Sequence, residues 1–436
     1  MKKYGFMETL QKMETLTEKV EDVFEGDEAE SQVKLGIAKA ASALTFIAGL
    51  NGGWLGPLIP QIAGTQKLPL EKVGLIVSLL CAGCFVTQLI GPKILNKLGG
   101  KGSLLAGSAL LAGGMLGLSS GHYIEHLLIA AFVTGLGTGL NGISGHVCIL
   151  NFFKERAASA LSRLNIFYGV GALLAPQIVL YVNLGEDTFR YIFASNALLA
   201  CLCTFYLFRL PQAARDLHID KSSGEEAHAA TTSGASLFAP PLVLMCLAIF
   251  FYVGMETSTG AWLFTYLHQT RNLSAAACTQ AVSLLWCGLT VGRLISIKAS
   301  LKYPPLVVTS IAMLFATCAV FIVALADLGE VGALLCSALI GLGCGPIYPQ
   351  SIAQTAQLMR HRPRLVATAT SFGISSGAMG GIVMPGVCGQ ILVHQGAVQA
   401  MLTVGAVALA MAVMYAAAQL AKNGKGKQTA KAVESA

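Results

Sequence analysis

The sequence predicts an all-α membrane protein with twelve transmembrane helices in two pseudo-symmetric six-helix bundles. Three observations carry that expectation. Hydrophobic residues make up 54% of the 436-residue chain and charged residues only 12%, about half the charge content of a soluble domain, and the mean hydropathy is +0.66. The apolar residues fall in runs long enough to cross a hydrocarbon core about 30 Å thick, without the period-two alternation of a membrane-barrel strand. Finally, parts of the first half of the chain return in the second.

Taken in order, residues 1–35 read as an N-terminal cytoplasmic amphipathic segment. Phe6, Leu10, Met13, Leu16, Val20 and Phe24 recur at a helical period, and no apolar core follows the basic start, so a cleavable signal peptide is not expected. Residues 36–210 form the N-terminal six-helix bundle, with spans at roughly 36–61, 71–95, 101–120, 124–152, 160–183 and 189–210. A polar cytoplasmic linker, 211–237, separates it from the C-terminal bundle, 238–420, with spans at roughly 239–267, 276–299, 304–326, 330–356, 366–394 and 397–420. A basic cytoplasmic tail, 421–436, ends the chain.

Orientation follows from the basic residues, which accumulate on the cytoplasmic side of membrane proteins. With both termini cytoplasmic, every Lys and Arg except Lys67, Lys72, Arg190 and Arg271 lies on the inner side. The expectation is a multi-pass protein of the plasma or inner membrane. Its net charge of +7 then reflects membrane insertion and anionic lipid, and no nucleic-acid partner is called for. The 12 cysteines sit almost entirely inside apolar segments and read as small reduced hydrophobes. Cys81 and Cys84 have metal-like spacing, but no second pair accompanies them, so no metal and no cofactor are expected. A monomer in the lipid bilayer is the simplest assembly.

The repeat is visible at two places. Gly135-Leu136-Gly137-Thr138-Gly139 returns as Gly341-Leu342-Gly343-Cys344-Gly345, an offset of 206. Gly171, five residues before Pro176, returns as Gly380, five before Pro385, an offset of 209. The near-equal offsets fall in equivalent spans and imply a duplicated six-helix unit.

Three stretches are more specific: Leu164-Asn165-Ile166-Phe167-Tyr168-Gly169-Val170-Gly171-Ala172-Leu173-Leu174-Ala175-Pro176 in span 5, Tyr252-Val253-Gly254-Met255-Glu256 with Trp262 in span 7, and Trp286-Cys287-Gly288-Leu289-Thr290-Val291-Gly292-Arg293 in span 8. On these residues the chain, over 36–420, resembles the major facilitator superfamily and, within it, the fucose permease-like sugar–proton symporters. That resemblance implies the major facilitator fold, with solute bound at mid-depth between two bundles related by an axis along the membrane normal. The superfamily's loop signature between spans 2 and 3, Asp-Arg-x-Gly-x-Lys, is replaced by Asn96-Lys97-Leu98-Gly99-Gly100-Lys101, which leaves Lys97 and Lys101 as candidate gating residues. Some members carry acids in spans 1 and 4. Here those spans offer Asn51 and Trp54, and Asn141 and His146, so coupling falls to Glu256.

Glu256 is the anomaly in the apolar stretch Phe250–Leu267, because an ionisable group in hydrocarbon is costly unless it faces a cavity or a partner. Counting residues from the inner end puts it about 24 Å deep, in the outer half. Tyr252, Glu256 and Thr259 share one helical face, so a hydroxylated solute or a proton would meet a phenol, a carboxyl and a hydroxyl together. Asn51 and Trp54 suit sugar binding, an amide for paired hydroxyls and an indole for stacking, and suit helix packing equally. Asn141 stands beside the glycine run, and His146 is able to titrate near neutrality. The resemblance adds Asn165 as a polar contact with Tyr168 one turn on, and Trp286, Tyr348 and Gln350 are further candidate lining residues. Arg293 is explained by topology or by gating.

The reading is a secondary transporter that moves a small polar, sugar-like solute by alternating access, with a proton or another cation coupled through Glu256. The alternative is an efflux carrier or facilitator for amphipathic, lipid-like or drug-like molecules on the same fold. An enzyme is not expected, since the sequence offers no metal-ligand cluster, no nucleophile with a base and no phosphate-binding loop.

Overall fold

The computed structural model describes residues 28–153, 157–182, 185, 187–211, 239–327, 329–359 and 363–434. The expected N-terminal amphipathic helix before residue 28 and the linker 212–238 lie outside them. The elements are α1 (Glu28–Gln66), α2 (Leu70–Ser120), α3 (Ile124–Phe153), α4 (Ala157–Tyr181), α5 (Thr188–Arg209), α6 (Pro240–Arg271), α7 (Ala275–Ala299), α8 (Pro305–Leu325), α9 (Gly329–Leu358), α10 (Pro363–Gln395) and α11 (Ala397–Glu434).

All eleven are long and apolar enough to cross a membrane. At 1.5 Å per residue the 51 residues of α2 would reach about 77 Å, over twice the hydrocarbon thickness, so α2 carries two crossings. It turns at Gly99, whose φ of 70° lies in the left-handed region that glycine enters without a Cβ penalty. Spans 2 and 3 are thus two helices that meet at the non-helical Gly99, and the chain crosses twelve times. The residues expected from 421 onward as a tail continue α11 as helix to Glu434. Proline opens α6, α8 and α10, where its missing N–H costs nothing, and the Ser274 side chain accepts from Ala277 N at 3.1 Å to cap α7. Large apolar side chains such as Ile129, Leu198, Leu202, Ile311, Leu314 and Leu335 are more than half exposed, a patch far larger than a water-facing surface carries.

Inside each bundle the duplicated glycines do the same job. A Cβ added at Gly135 on α3 would meet the Leu80 carbonyl of α2, and one at Gly341 on α9 would meet the Leu285 carbonyl of α7. Gly137 sits on the backbone of Leu111 and Gly107 in the post-Gly99 limb of α2; Gly343 sits on Ala316 and Ala312 of α8. Gly139 closes on Cys84 and Thr87, and Gly345 on Arg293 and Gly292. Gly171 and Gly380 repeat the pattern against Phe46 and Phe250, in the first helix of each half. Backbone-to-backbone approach of this kind drives helix association in lipid, where no hydrophobic force separates helix from tail.

The two bundles meet through α1 with α6, α4 with α7, and α2 with α10. The face where α1 begins and α11 ends is the terminal face; the other is the distal face. Cross-bundle contacts run from mid-depth to the distal face: Gly56 against Gly260, Gly74 against Trp262, Cys81 against Gly381, and Gln177 Nε2 donating to Ser283 Oγ at 2.8 Å. At the distal edge His394 Nε2 lies 3.8 Å from Glu71 Oε2.

Leucine at Gly135 or Gly341 is expected to abolish folding, since overpacking costs about 1–3 kcal/mol even where side chains can yield and here the obstacle is backbone. Leucine at Gly113, with nothing within 4 Å of an added Cβ, is expected to be neutral. Size-exclusion profiles and thermal stability in detergent compare the three.

Candidate functional site

The elements that meet at mid-depth are α6, α7 and α9 from one bundle and α4, α1 and the first limb of α2 from the other. Glu256 is the seventeenth of the 32 residues of α6, at its midpoint rather than in its outer half, because the helix runs four residues past the expected end at 267. Its helix is apolar on every side, so rotation about its axis is set by packing: Gly254 lies on Met384 and Gly380 of α10, and Gly260 lies under the Trp286 indole of α7. These contacts leave Glu256 half-buried on the boundary between the bundles.

Three tyrosines surround it. The Tyr252 hydroxyl donates to the Cys344 carbonyl of α9 at 2.9 Å, one helical turn from Glu256 on the same face. The Tyr348 ring of α9 is 6.2 Å from the Tyr252 ring. Tyr168 of α4, across the boundary, meets Trp286 edge-on at 6.4 Å, and its hydroxyl lies beside Gly52 of α1. The charge of Glu256 reaches Tyr168, Tyr348 and Cys81, and that of Arg293 reaches Glu256, Tyr168 and Tyr348.

The structure thus brings together Glu256, Tyr252, Tyr168, Tyr348, Trp286 and Arg293. Asn165, one turn from Tyr168, is exposed toward the terminal face. Other sequence candidates point elsewhere, for identifiable reasons. Thr259 is 1% exposed and spends its hydroxyl on the Met255 carbonyl of its own helix; Thr257, half-buried, likewise bonds to Val253 O at 2.7 Å, but its methyl lies against Gly381, which faces Cys81 across the boundary. Trp262 is buried between Gly74 and Gly389 and donates to Pro385 O at 2.9 Å, a strut across the distal seam. Asn51 accepts a hydrogen bond from Asn196 of α5 inside the first bundle, where Trp54 is also buried. Asn141 is buried against Gly107, and His146 Nδ1 pairs with Gly142 O at 2.7 Å in its own helix. Gln350 ties α9 to Ser300 at 2.5 Å. Lys97 is exposed, whereas Lys101 Nζ donates to Leu210 O at 2.6 Å, satisfying a carbonyl at the C-terminus of α5.

Sequence reasoning missed Thr257 and Cys81. The available signal for Cys81 was its place with Gly74 and Ser78 on one face of α2, which meets α6 and α10. Among the described residues no three His, Cys, Asp or Glu side chains converge as a metal site.

Two six-helix bundles packed on equivalent glycines and meeting at mid-depth have the plan of a membrane transporter. Residues 41–385 match the profile of the Major Facilitator Superfamily, and the chain belongs to that family. It is 22% identical over 388 residues to "Bypass of stop codon protein 6" of Saccharomyces cerevisiae, covering 81% of this chain and 76% of that one. It is 25% identical over 299 residues to a glucose/galactose transporter of Brucella abortus, covering 63% and 69%. Its fold matches a D-xylose–proton symporter with a TM-score of 0.73 at 14% identity, over 87% of this chain and 97% of that one. It also matches the inward-open xylose transporter XylE of E. coli with a TM-score of 0.70 at 13% identity, over 88% and 96%.

Trp262→Ala is expected to cost about 3–5 kcal/mol as a buried aromatic truncation, and Trp262→Phe about 1 kcal/mol for the lost hydrogen bond. Thermal unfolding in detergent separates the two.

Proposed function

We propose that the chain is a secondary transporter that carries a small polar, sugar-like solute between its two bundles and couples that movement to a proton through Glu256. The observation that supports this reading is the position of Glu256: the middle of an apolar helix, on the bundle boundary, one turn from Tyr252 and within electrostatic reach of Arg293. An intramembrane acid so placed marks a solute or ion path. The aromatic wall of Tyr168, Trp286 and Tyr348 offers stacking surface, and the Trp286 N–H, without a partner among the described residues, offers a donor to a hydroxyl. The names of the relatives point the same way, a glucose/galactose transporter in Brucella abortus and a sodium-dependent glucose transporter in Mus musculus; the latter keeps sodium as an alternative coupling ion.

The cycle rocks the bundles about the site. The cross-bundle contacts among the described residues lie from mid-depth to the distal face, which supports a path from the site toward the terminal face, and we assign that face to the cytoplasm of a plasma or inner membrane. Arg293 and Asn165 border the path toward the terminal face. One monomer contains the whole path.

A thermal-shift screen of the purified protein against sugars, polyols, organic acids and lipids identifies the solute class, because a ligand that binds only the folded state raises its stability. For the solute so found, Glu256→Gln in proteoliposomes is expected to cut gradient-driven uptake at least tenfold while retaining solute exchange. Uptake unchanged by Glu256→Gln and by collapse of the proton gradient would sink the coupling role, and stabilisation by amphiphiles alone would replace the sugar-like solute with a lipid-like one.

A further inference from the structure

Arg293 is half-buried and makes no side-chain hydrogen bond or ion pair with any other described residue. A guanidinium so placed is expensive without an anion, and topology does not require it to face the boundary. It does face the boundary: Trp286, Thr290 and Arg293 are spaced i, i+4 and i+7 on α7 and share a helical face, with Trp286 against Tyr168 and Thr290 against Gly169. The approach of Trp286 to Gly260 fixes the register of antiparallel α6 and α7. Glu256, four residues from Gly260, is level with Thr290, and Arg293 lies about 4–5 Å further toward the terminal face. On α4 the same register puts the exposed Asn165 beside Arg293. The boundary site therefore has one acid and one base within a turn of each other, and beside them Trp286, 6% exposed, whose buried N–H is unpartnered among the described residues.

The charge balance of that pair constrains the solute. With Glu256 ionised, its charge offsets that of Arg293. With Glu256 protonated, a full positive charge remains at mid-depth, and a neutral sugar leaves it uncompensated while a carboxylate matches the guanidinium in shape and charge. We propose that the site takes a hydroxylated monocarboxylate, a sugar acid, together with one proton: Glu256 holds the proton, Arg293 holds the carboxylate, and the Trp286 N–H and Asn165 meet hydroxyls. The inference rests on the transporter reading above and specifies its solute. One proton and one monoanion move together, so the loaded site carries the same net charge as the empty one with Glu256 ionised. The step is electroneutral and is driven by the pH gradient alone, whereas a proton with a neutral sugar carries one charge through the membrane potential. The other groups around the pair are Tyr252, Tyr168, Tyr348, Cys81 and Cys344, none of which supplies a second permanent charge.

The test uses the purified full-length chain in proteoliposomes with radiolabelled D-gluconate and D-glucose as probes. Gluconate uptake is expected to follow an imposed pH gradient and to be unchanged by a valinomycin-clamped potential of either sign. Arg293→Gln is expected to reduce it at least tenfold and Arg293→Lys to retain part of it, with thermal stability recorded for both variants. The potential measurement on the unaltered chain stands even if a variant fails to fold. Glucose uptake that depends on Glu256, without gluconate uptake, overturns the sugar-acid assignment and leaves the transporter reading in place. Gluconate uptake that responds to potential, or that survives Arg293→Gln, also overturns it. Uptake of neither probe overturns it too; the screen described above, rather than these two solutes, then decides the transporter reading.

Discussion

A carboxyl group in the middle of an apolar helix is the constraint on which the rest of the structure depends. In hydrocarbon an ionised carboxylate without a partner costs far more than any packing contact returns, so Glu256 must lie where a proton, a cation or a polar wall can reach it. The boundary between two rigid bundles meets that need without breaking either core. Around Glu256 the chain supplies hydroxyls from α6, α9 and α4 and a positive charge from α7, each from a helix that moves with one bundle or the other. A change in the charge of this one group would be felt in its own bundle, by Tyr252 and Tyr348, and across the boundary, by Tyr168.

The bundles can act as bodies because of how they are packed. Gly135, Gly137 and Gly139, and their counterparts Gly341, Gly343 and Gly345, bring backbones together in the same order in each half, the outer pair of each triplet on the second helix and the middle glycine on the third. The approach leaves no room for a Cβ, and so little freedom for helices to slide. Between bundles the contacts are mostly of a different kind: the Trp286 indole edge-on to Tyr168, a tryptophan edge on Gly74, one amide–hydroxyl bond between Gln177 and Ser283. Such contacts are separable one by one, as alternating exposure of a site requires.

Much of this was legible in the sequence. Twelve apolar runs, the glycine triplets and the isolated Glu256 are statements about composition and period, which the membrane enforces strictly, and the triplets landed on equivalent contacts. The kink at Gly99 was readable only as a short polar interval. The site was less legible. Asn51, Asn141 and Trp262 carry groups equally suited to a solute or to a neighbouring helix, and which they meet depends on helix rotation. For α6, apolar all round, no pattern reports that rotation, which is why Thr259 was preferred to Thr257. Arg293 was masked by an adequate alternative, since a basic residue near the inner end of a span needs no partner to explain it. The Lys101 ammonium donates to the carbonyls of Leu210 and Pro211, just past the end of α5, a contact between segments about a hundred residues apart that no local pattern announces.

Solute-induced infrared difference spectroscopy of the purified protein observes the group at the centre of this account without reference to transport rate. The expected result is a change in the carbonyl-stretch band of a protonated carboxyl when the solute binds, present in the unaltered chain and absent in Glu256→Gln. A band change that persists in Glu256→Gln, or its absence from the unaltered chain under saturating solute, would contradict the assignment of the proton to Glu256.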